Sequence, residues 1–291
     1  MASTVRKIGP YRVVEKIKTG SVGTVWKVAD ASNKVFALKL ISEVNAKRSH
    51  KVKEFKKEAK LGRELDHRNI IKVHEYGENE GRPYFVMDFF LSENLKYCIW
   101  HRPERINKHE FYILRQIAES LAYLHAQGII HKDLKPENIL VGESGDARLI
   151  DLSLAQEKWG GMLPFGRKIE GTPLYMAPEQ ITKKKIDSRT DIYSFGCVAY
   201  ELISKRTPFI GVSQESLFKK HLNEKPAPLR HHVKMIAPEL EAMVMKCLEK
   251  GPEDRWQDMT SILYELGKWE KKTTILRQQQ VVPGETQGGG A

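Results

Sequence analysis

Eight consecutive residues, His131-Lys132-Asp133-Leu134-Lys135-Pro136-Glu137-Asn138, decide how this chain of 291 residues is interpreted. Asp133 and Asn138 lie five positions apart, in a stretch that Pro136 marks as a loop. A carboxylate accepts the proton of a hydroxyl group, and an amide oxygen is a ligand for Mg²⁺. Lys135, two positions after the carboxylate, is within reach of a transferring phosphate. The loop therefore predicts phosphoryl-transfer chemistry, with Asp133 as the base and Asn138 as a metal ligand.

A second acid follows eighteen residues after Asp133. Asp151 comes directly after the apolar pair Leu149-Ile150. A single acid in this position commonly caps a turn, which is the competing interpretation. We expect instead that Asp151 faces Asp133 and holds the metal with Asn138.

A glycine-containing turn lies near the start of the chain, at Lys18-Thr19-Gly20-Ser21-Val22-Gly23-Thr24-Val25. Glycines between two strands allow backbone N–H groups to approach phosphate oxygens, where a Cβ atom would obstruct them. The turn favours a phosphate-binding loop, but a plain β-hairpin explains the same residues equally well.

Lys39 lies in an otherwise apolar strand, and an ammonium buried there requires a carboxylate partner. On the predicted helix Ser49–Leu65, Glu58 shares its face with apolar residues and is the natural partner. Glu54, one turn earlier, competes for this role. In a further alternative, Lys39 extends to solvent and Glu58 is only a charge at the edge of the helix.

The chain carries 48 Lys and Arg against 37 Asp and Glu, for a net charge of +11. This excess favours anionic partners such as nucleotides, nucleic acid or acidic proteins. The lysines at Lys183–Lys185 and around Ser49–Lys60 could indicate nucleic-acid binding. Those of Ser49–Lys60 alternate with acids, however, and no aromatic stacking platform accompanies them. A solvated basic surface is therefore the favoured interpretation, and nucleic acid is not expected as a partner.

Three scattered cysteines, Cys98, Cys197 and Cys247, argue against a disulfide scaffold and a cysteine-based zinc site. They fit a reducing compartment. No apolar run approaches the length of a membrane span, so we expect a soluble, cytoplasmic chain without a membrane segment.

The order of patterns along the chain indicates an α+β protein with two lobes, since a strand-rich first third precedes a helical remainder. Strands are predicted at Tyr11–Lys18, Val25–Ala29, Val35–Ile41, Lys72–Tyr76 and Pro83–Met87. An Asn107/Glu110 capping box predicts the start of a helix that ends near Gly128. Further helices are predicted at Asp191–Ser204, Ser213–His221, Pro238–Glu249 and Met259–Trp269.

The expected domain boundaries follow from these patterns. Residues 1–10 form an N-terminal extension and residues 11–270 a domain with lobes at 11–90 and 91–270. The Gln- and Gly-rich residues 271–291 are expected to form a disordered tail or linker.

The order of these motifs resembles that of the eukaryotic-type protein kinases, from about Tyr11 to Leu266. The resemblance extends through Gly171–Glu179, Asp191–Gly196 and Arg255, which looks like the partner of Glu179. It implies a small antiparallel β-sheet N-lobe with one helix and a larger, mainly helical C-lobe. The helix glutamate of this family lies nine residues before an H-R-N-I-like motif, which favours Glu58 over Glu54.

The resemblance also implies ATP and magnesium as cofactors and assigns roles to individual residues. Lys39 contacts the α- and β-phosphates, Met87 gates the space behind the adenine, and Asp88–Phe90 form the hinge. The implied catalytic residues are Lys39, Asp133, Lys135, Asn138 and Asp151, with Asn138 and Asp151 as magnesium ligands. The implied nucleotide-binding residues are Lys18, Gly20, Ser21, Gly23, Val25, Ala37, Lys39, Glu58, Met87, Asp88, Phe90 and Leu140.

Lys135, two places after the base, is similar to the serine/threonine branch of the family. The resemblance therefore implies transfer of the γ-phosphoryl group of ATP to Ser or Thr hydroxyls of protein substrates.

Two departures from the family concern phosphate contacts. Lys18 replaces the first glycine of the turn, which predicts altered ATP affinity. Lys132 replaces an arginine that commonly grips a phosphorylated activation loop, and lysine is a poorer bidentate clamp. The loop Leu154–Gly171 contains no Ser, Thr or Tyr. We therefore hypothesise that activity does not require phosphorylation of this loop.

Two further departures concern packing behind Lys39. Leu152 and Ser153 replace Phe and Gly after Asp151, and Gly62 stands where the family usually has a bulky apolar residue. These residues predict a loosely packed junction, in which Gly62→Leu would raise activity or stability if no neighbour fills the gap.

The alternative from another class is a pseudokinase that serves as a nucleotide-binding or scaffold module. The unusual glycine turn and the Asp151-Leu152-Ser153 motif motivate it. The presence of Lys39, Glu58, Asp133, Asn138 and Asp151 argues against it.

Overall fold

The computed structural model describes residues 6–157 and 170–279, with side chains at 6–156 and 170–269. Its N-terminal part is a six-stranded antiparallel sheet with the order β1-β2-β3-β4-β6-β5. The strands are β1 (Lys7–Ile8), β2 (Tyr11–Thr19), β3 (Gly23–Ala29), β4 (Val35–Ile41), β5 (Val73–Asn79) and β6 (Arg82–Asp88).

The first strand differs from the prediction. Residues 7 and 8 pair with β2, and Ile8 is buried in the core of the sheet rather than part of an extension. Ile8 reaches this core because Gly9, at φ +56°, turns the chain sharply between the two strands.

Strand β4 positions the first site residue. It lies between β3 and β6, with Lys39 opposite Val25 and Phe85. Because side chains alternate along a strand, Leu38 and Leu40 pack into one apolar cluster. Lys39 therefore lies on the other face of the sheet.

Two helices connect β4 to β5, where the prediction has one. The short helix α1 (Glu43–Ala46) precedes α2 (Ser49–Glu64). Helix α2 packs on the sheet through Phe55 and Ala59, while its last turns contribute Leu61 to the core of the second lobe. It thus contacts both lobes.

The second lobe is mainly helical. Its helices are α3 (Leu95–His101), α4 (Pro103–Ala126), α5 (Pro178–Ile181), α6 (Ser188–Ser204), α7 (Gln214–Asn223), α8 (Pro238–Cys247) and α9 (Met259–Gln279). Short strands lie beside the cleft: β7 (Glu93–Asn94), β8 (Ile129–Ile130), β9 (Ile139–Val141), β10 (Ala147–Leu149) and β11 (Gln156–Glu157). Every residue of α6 from Thr190 to Ser204 is buried, which confirms the predicted central helix.

The predicted capping box at Asn107 is wrong. Helix α4 begins at Pro103, in the first turn, where a missing N–H costs nothing and the fixed φ suits a helix. Ile106 is completely buried, so packing of this first turn extends the helix past the local capping signal.

The last helix also departs from the prediction. Helix α9 continues to Gln279, so residues 271–279 are helical rather than a disordered tail. Residues 271–279 contain no Pro or Gly, so no residue of this segment interrupts the helix. The remainder of the expected tail lies outside the described residues. Among the described helices, none is both long and apolar enough to cross a membrane.

Candidate active site

The loop that carries Asp133 is attached to the buried start of α6. Asp191 is fully buried, and its carboxylate accepts hydrogen bonds from the backbone N–H groups of His131 and Lys132, both at 2.8 Å. His125 Nε2 lies 2.8 Å from the same carboxylate. Burial alone raises the pKa of Asp191, but the hydrogen bond and charge of His125 outweigh burial and lower it. Asp191 is therefore an ionised anchor for the loop.

Asp133 lies at the centre of a hydrogen-bond network. Its Oδ1 accepts bonds from both N and Oγ1 of Thr172 at 2.9 Å, and its Oδ2 accepts one from Lys135 Nζ at 2.7 Å. Lys135 Nζ also donates to Thr172 Oγ1 at 2.8 Å. These contacts hold the carboxylate in one orientation.

Thr172 is a site residue that sequence analysis left out of the catalytic group. The sequence did contain an indication of its role, because Thr172-Pro173 directly follows Gly171 in a motif shared with the family. Its direct contact with Asp133 joins residues 39 positions apart. Spacing alone does not reveal such a contact.

Asn138 and Asp151 come together at the end of the same loop. The N–H of Ile150 donates to Asn138 O at 2.9 Å, which sets Asp151 beside the catalytic loop. Asn138 Nδ2 donates to Asp133 O at 3.0 Å, so the side-chain oxygen of Asn138 is left for another partner.

The environment of Asp151 keeps it ionised. Burial raises its pKa, but the charge of Lys39 and the hydrogen bond from Ser153 N, at 3.1 Å, outweigh burial and lower it. An amide oxygen and a carboxylate are hard ligands of the kind that Mg²⁺ takes. Within the described residues no group of three His, Cys, Asp or Glu side chains could hold a metal by itself. This donor set fits an ion that is also held by phosphate and water.

The predicted ion pair between β4 and α2 is present. Lys39 Nζ lies 2.7 Å and 2.9 Å from the two carboxylate oxygens of Glu58; Glu58 is buried and the Lys39 side chain is 14% exposed. Glu54 instead pairs with Lys51 near the surface, which removes the competing assignment. Burial by itself lowers the pKa of Lys39, but the charges of the nearby Glu58 and Asp151 raise it by more. The pKa of Lys39 is therefore above its ordinary value, and the lysine is charged.

The glycine turn is a tight connection between β2 and β3. Gly20 N donates to Gly23 O at 2.9 Å, and Asn45 Nδ2 of α1 donates to Ser21 O at 2.7 Å and Val22 O at 3.1 Å. A Cβ atom on Gly23 would lie 2.1 Å from Leu40 O, so close packing on β4 already requires this glycine. Sequence analysis missed Asn45, because nothing local links residue 45 to residue 21.

A cavity of about 550 Å³ lies between the sheet and the second lobe. Seven of the residues predicted to bind nucleotide line it: Lys18, Val25, Ala37, Met87, Asp88, Phe90 and Leu140. Gly20, Ser21, Gly23, Lys39 and Glu58 lie outside its lining. Ile71 and Ile150 also contribute to its apolar walls and were missed, since single apolar residues carry no functional signal.

The side chains of Asp88 and Phe90 in the hinge both contact Arg148. The carboxylate of Asp88 lies 2.7 Å from His74 Nε2 and 3.5 Å from Arg148, so it stabilises the hinge. The ring of Phe90 lies under the Arg148 guanidinium, 4.5 Å from its centroid.

Met87 separates the large cavity from a small one behind it. Both cavities are lined by Met87, and the rear one, of about 30 Å³, is also lined by Glu58, Gly62 and Leu152. Ile71 and Ile150 line both cavities as well, and the role of Met87 as a gate stays a prediction.

The junction expected behind Lys39 contains the small cavity lined by Gly62 and Leu152, but the space expected for a side chain at Gly62 is not free. A Cβ atom added to Gly62 would lie 2.4 Å from Val73 Cγ2 and 3.2 Å from Val73 Cβ. A neighbouring strand therefore already fills the space above Gly62, and Gly62→Leu is not expected to improve packing.

Two contacts organise the segment that follows the cleft. Arg255 forms a bidentate pair with Glu179, at 2.8 Å and 2.9 Å, as the sequence motifs implied. Lys132 Nζ lies 3.9 Å from Glu170, the first described residue after the gap at 158–169.

Comparison with known families explains this arrangement. A family model described as the protein kinase domain matches residues 11–265, most of the chain. The chain belongs to the protein kinase domain family.

Several bacterial proteins are similar over most of the chain. One from Clostridium acetobutylicum, named a probable serine/threonine-protein kinase, is 31% identical over 88% of this chain and 39% of its own length. Serine/threonine-protein kinase PknB of Mycolicibacterium smegmatis is 32% identical over 70% of this chain and 33% of its own. PknA of Mycobacterium tuberculosis is 31% identical over 86% and 58%. The chain thus spans less than two thirds of the length of these relatives.

Proposed function

We propose that this chain transfers the γ-phosphoryl group of ATP to Ser or Thr hydroxyls of protein substrates. The observation that carries the proposal is Asp133, held by Thr172 and Lys135 next to Asn138. Asp151, ionised, lies beside the same loop, and its charge acts on Lys39 of the Lys39–Glu58 pair. The names of the relatives support serine and threonine as acceptors.

The residues of the chain have separate tasks in this reaction. Asp133 orients the acceptor hydroxyl and takes its proton as the new O–P bond forms and the bond from the γ-phosphorus to the leaving ADP breaks. Lys135 and Lys39 place positive charge against phosphate oxygens. Magnesium, held by Asn138 and Asp151, would supply further neutralisation of phosphate charge.

We also propose that activity does not need phosphorylation of the loop Leu154–Gly171. This loop has no hydroxyl side chain, and residues 158–169 of it lie outside the described part of the chain. Lys132 faces the carboxylate of Glu170 at 3.9 Å, which supports an acid of the protein itself as the anionic partner.

The compartment proposed for this activity is the cytoplasm. Cys98, Cys197 and Cys247 are free, buried thiols, an arrangement that suits a reducing environment.

Phosphate transfer to a generic Ser/Thr peptide, measured with ATP and magnesium, tests the proposal. Asp133→Asn is expected to lower kcat by about 10²–10⁴-fold, since it removes the base. Asp258→Asn, at an exposed acid that caps α9, is the matched control and should retain wild-type activity. Equal signals from wild type and Asp133→Asn would instead indicate the scaffold alternative.

Phosphatase treatment tests the second proposal. Treated protein is expected to keep its activity, while Glu170→Gln lowers it because Lys132 loses an anionic neighbour. Loss of activity after phosphatase, with a phosphorylated residue mapped to 153–172, would contradict it.

A further inference from the structure

The outer face of α2 carries a groove that the catalytic arrangement leaves unused. Between this face and β5 lies a space of about 640 Å³, lined by Lys56, Ala59, Lys60, Arg63, Glu64 and Tyr76. This volume is within the range of sites that bind ligands. Helix α2 directs Glu58 inward to Lys39, so the groove lies apart from the nucleotide cleft.

Positive charge dominates the groove. Lys56, Lys60 and Arg63 follow one another at helical spacings of four and three residues, so they lie along one face of α2. All three are exposed. Glu64 is the one acid in the lining, and it lies 3.8 Å from Lys60 in an exposed pair that contributes little.

The cations of the groove differ from the other lysines of α2. Lys51 pairs with Glu54 at 2.7 Å, and Lys57 Nζ donates to a backbone carbonyl at 2.9 Å. Across residues 6–157 and 170–279, no carboxylate pairs with Lys56 or Arg63. These two charges are therefore available to a partner.

Tyr76 also lines the groove. Its hydroxyl oxygen is buried without a hydrogen-bond partner in the part of the chain that the structure describes. The ammonium of Lys56 lies over its ring at 5.9 Å from the centroid, and the ring packs against the apolar cluster of the sheet. The hydroxyl is thus out of reach of a partner, and the covered ring offers little surface for base stacking.

We propose that this groove docks an acidic peptide segment of a partner protein. Its Asp or Glu carboxylates pair with Lys56 and Arg63. Lys72 adds positive charge at the same end of α2, since its Nζ donates to the carbonyl of Arg63 at 2.9 Å. Charge complementarity of this kind selects the partner and speeds its association.

Fluorescence anisotropy with a labelled peptide of alternating glutamate and aspartate tests the proposal. The peptide contains no hydroxyl side chain, so it cannot serve as a phosphate acceptor. Wild-type protein is expected to bind it saturably, and the double variant Lys56→Glu/Arg63→Glu to bind about tenfold more weakly or not at all. Lys53→Glu, at an exposed lysine of α2 outside the groove, is the matched control and should bind within about twofold of wild type.

Three results would overturn the proposal: unchanged binding by the double variant, equal weakening by Lys53→Glu, or tighter binding of a single-stranded oligonucleotide of matched charge, which would assign the surface to nucleic acid. Amide hydrogen exchange gives a second readout, in which slowed exchange over residues 56–64 is expected and protection confined to the catalytic loop counts against the groove. Thermal unfolding verifies that the double variant is folded. No readout depends on phosphate transfer, so failure here leaves the proposed function standing.

Discussion

The carboxylate of Asp191 positions Asp133 without touching it. It holds the backbone of His131 and Lys132, and Lys132 adopts a positive φ of 69° that few non-glycine residues tolerate. Lys132 directly precedes Asp133, so the anchored backbone of Lys132 also fixes the position of the base. Removal of the anchor should therefore affect folding and chemistry together.

The pH dependence of stability tests this anchor. The pKa of Asp191 is lowered in the folded state, so its contribution to stability is complete above the unfolded pKa of about 4 and is lost as the pH falls below it. Asp191→Asn is expected to lower the free energy of unfolding by about 3 kcal/mol at pH 7. Urea unfolding at successively lower pH should show the wild type converging on the variant. If the difference in the free energy of unfolding between wild type and variant stays constant with pH, the ionised anchor is contradicted.

At Gly62, in contrast, the neighbouring residues leave no room for a side chain. Val73 occupies the space that a side chain at position 62 would take. Gly62→Ala is expected to lower the free energy of unfolding by about 1–3 kcal/mol, because a strand residue branched at Cβ cannot easily move away. Urea unfolding measures the change, and Val73→Ala in the same chain should recover part of the loss.

Gly267 provides the matched control for this substitution. It also lies in a helix, but nothing is found within 4 Å of its added Cβ atom. Gly267→Ala should therefore stabilise the protein by up to about 1 kcal/mol, through helix propensity alone. Destabilisation of similar size at both positions would indicate that Val73 is not the cause.

At the scale of elements, the glycine turn depends on a helix of only four residues. Ser42 caps α1 through a bond from Asn45 N at 3.3 Å, and Asn45 then holds two carbonyls of the turn. The turn is thus attached to the rigid end of β4 rather than free above the cleft.

Asn45→Ala should loosen the turn and leave the catalytic loop unchanged. The KM for ATP is expected to rise about three- to tenfold with kcat nearly constant, because the lost contacts act on nucleotide binding. Steady-state kinetics at varied ATP measures both constants. Asn223→Ala, at an exposed asparagine of α7, is the control. A fall in kcat at unchanged KM would contradict the role assigned to Asn45.

At the scale of the whole molecule, α2 joins the two lobes. Lys57 Nζ donates to Ala155 O at 2.9 Å, four residues after Asp151. The residues directly after Ala155 form β11, which pairs with β8. Ala155 thus links the helix that carries Glu58 to the strand that precedes the catalytic loop.

Lys57→Ala should weaken this link between lobes. We expect kcat to fall about two- to fivefold, because α2 and Asp151 would keep their relative position less well, while the thermal midpoint changes little. Lys53→Ala removes an exposed lysine of the same helix, which has no hydrogen bond or ion pair to the described residues of the second lobe, and should leave kcat unchanged. A similar loss in both variants would point to charge rather than to the link.

Sequence patterns determined the elements and the residue types of the site. The alternation in Val35–Ile41 and the helical spacing around Glu58 are local patterns. Such patterns can be recognised in a sequence without knowledge of the fold. The ion pair of Lys39 with Glu58 followed because a buried charge needs a partner, and few acids were in a position to supply one.

Only the tertiary structure decided which distant residues meet. The contacts of Thr172 with Asp133, of Asn45 with Ser21 and of Val73 with Gly62 join segments separated by at least eleven residues. Packing also overrode the local capping signal at Asn107, since Ile106 in the first turn of α4 is completely buried. Hydrogen bonds and van der Waals contacts act over a few ångströms in space, and a linear pattern carries no record of those distances.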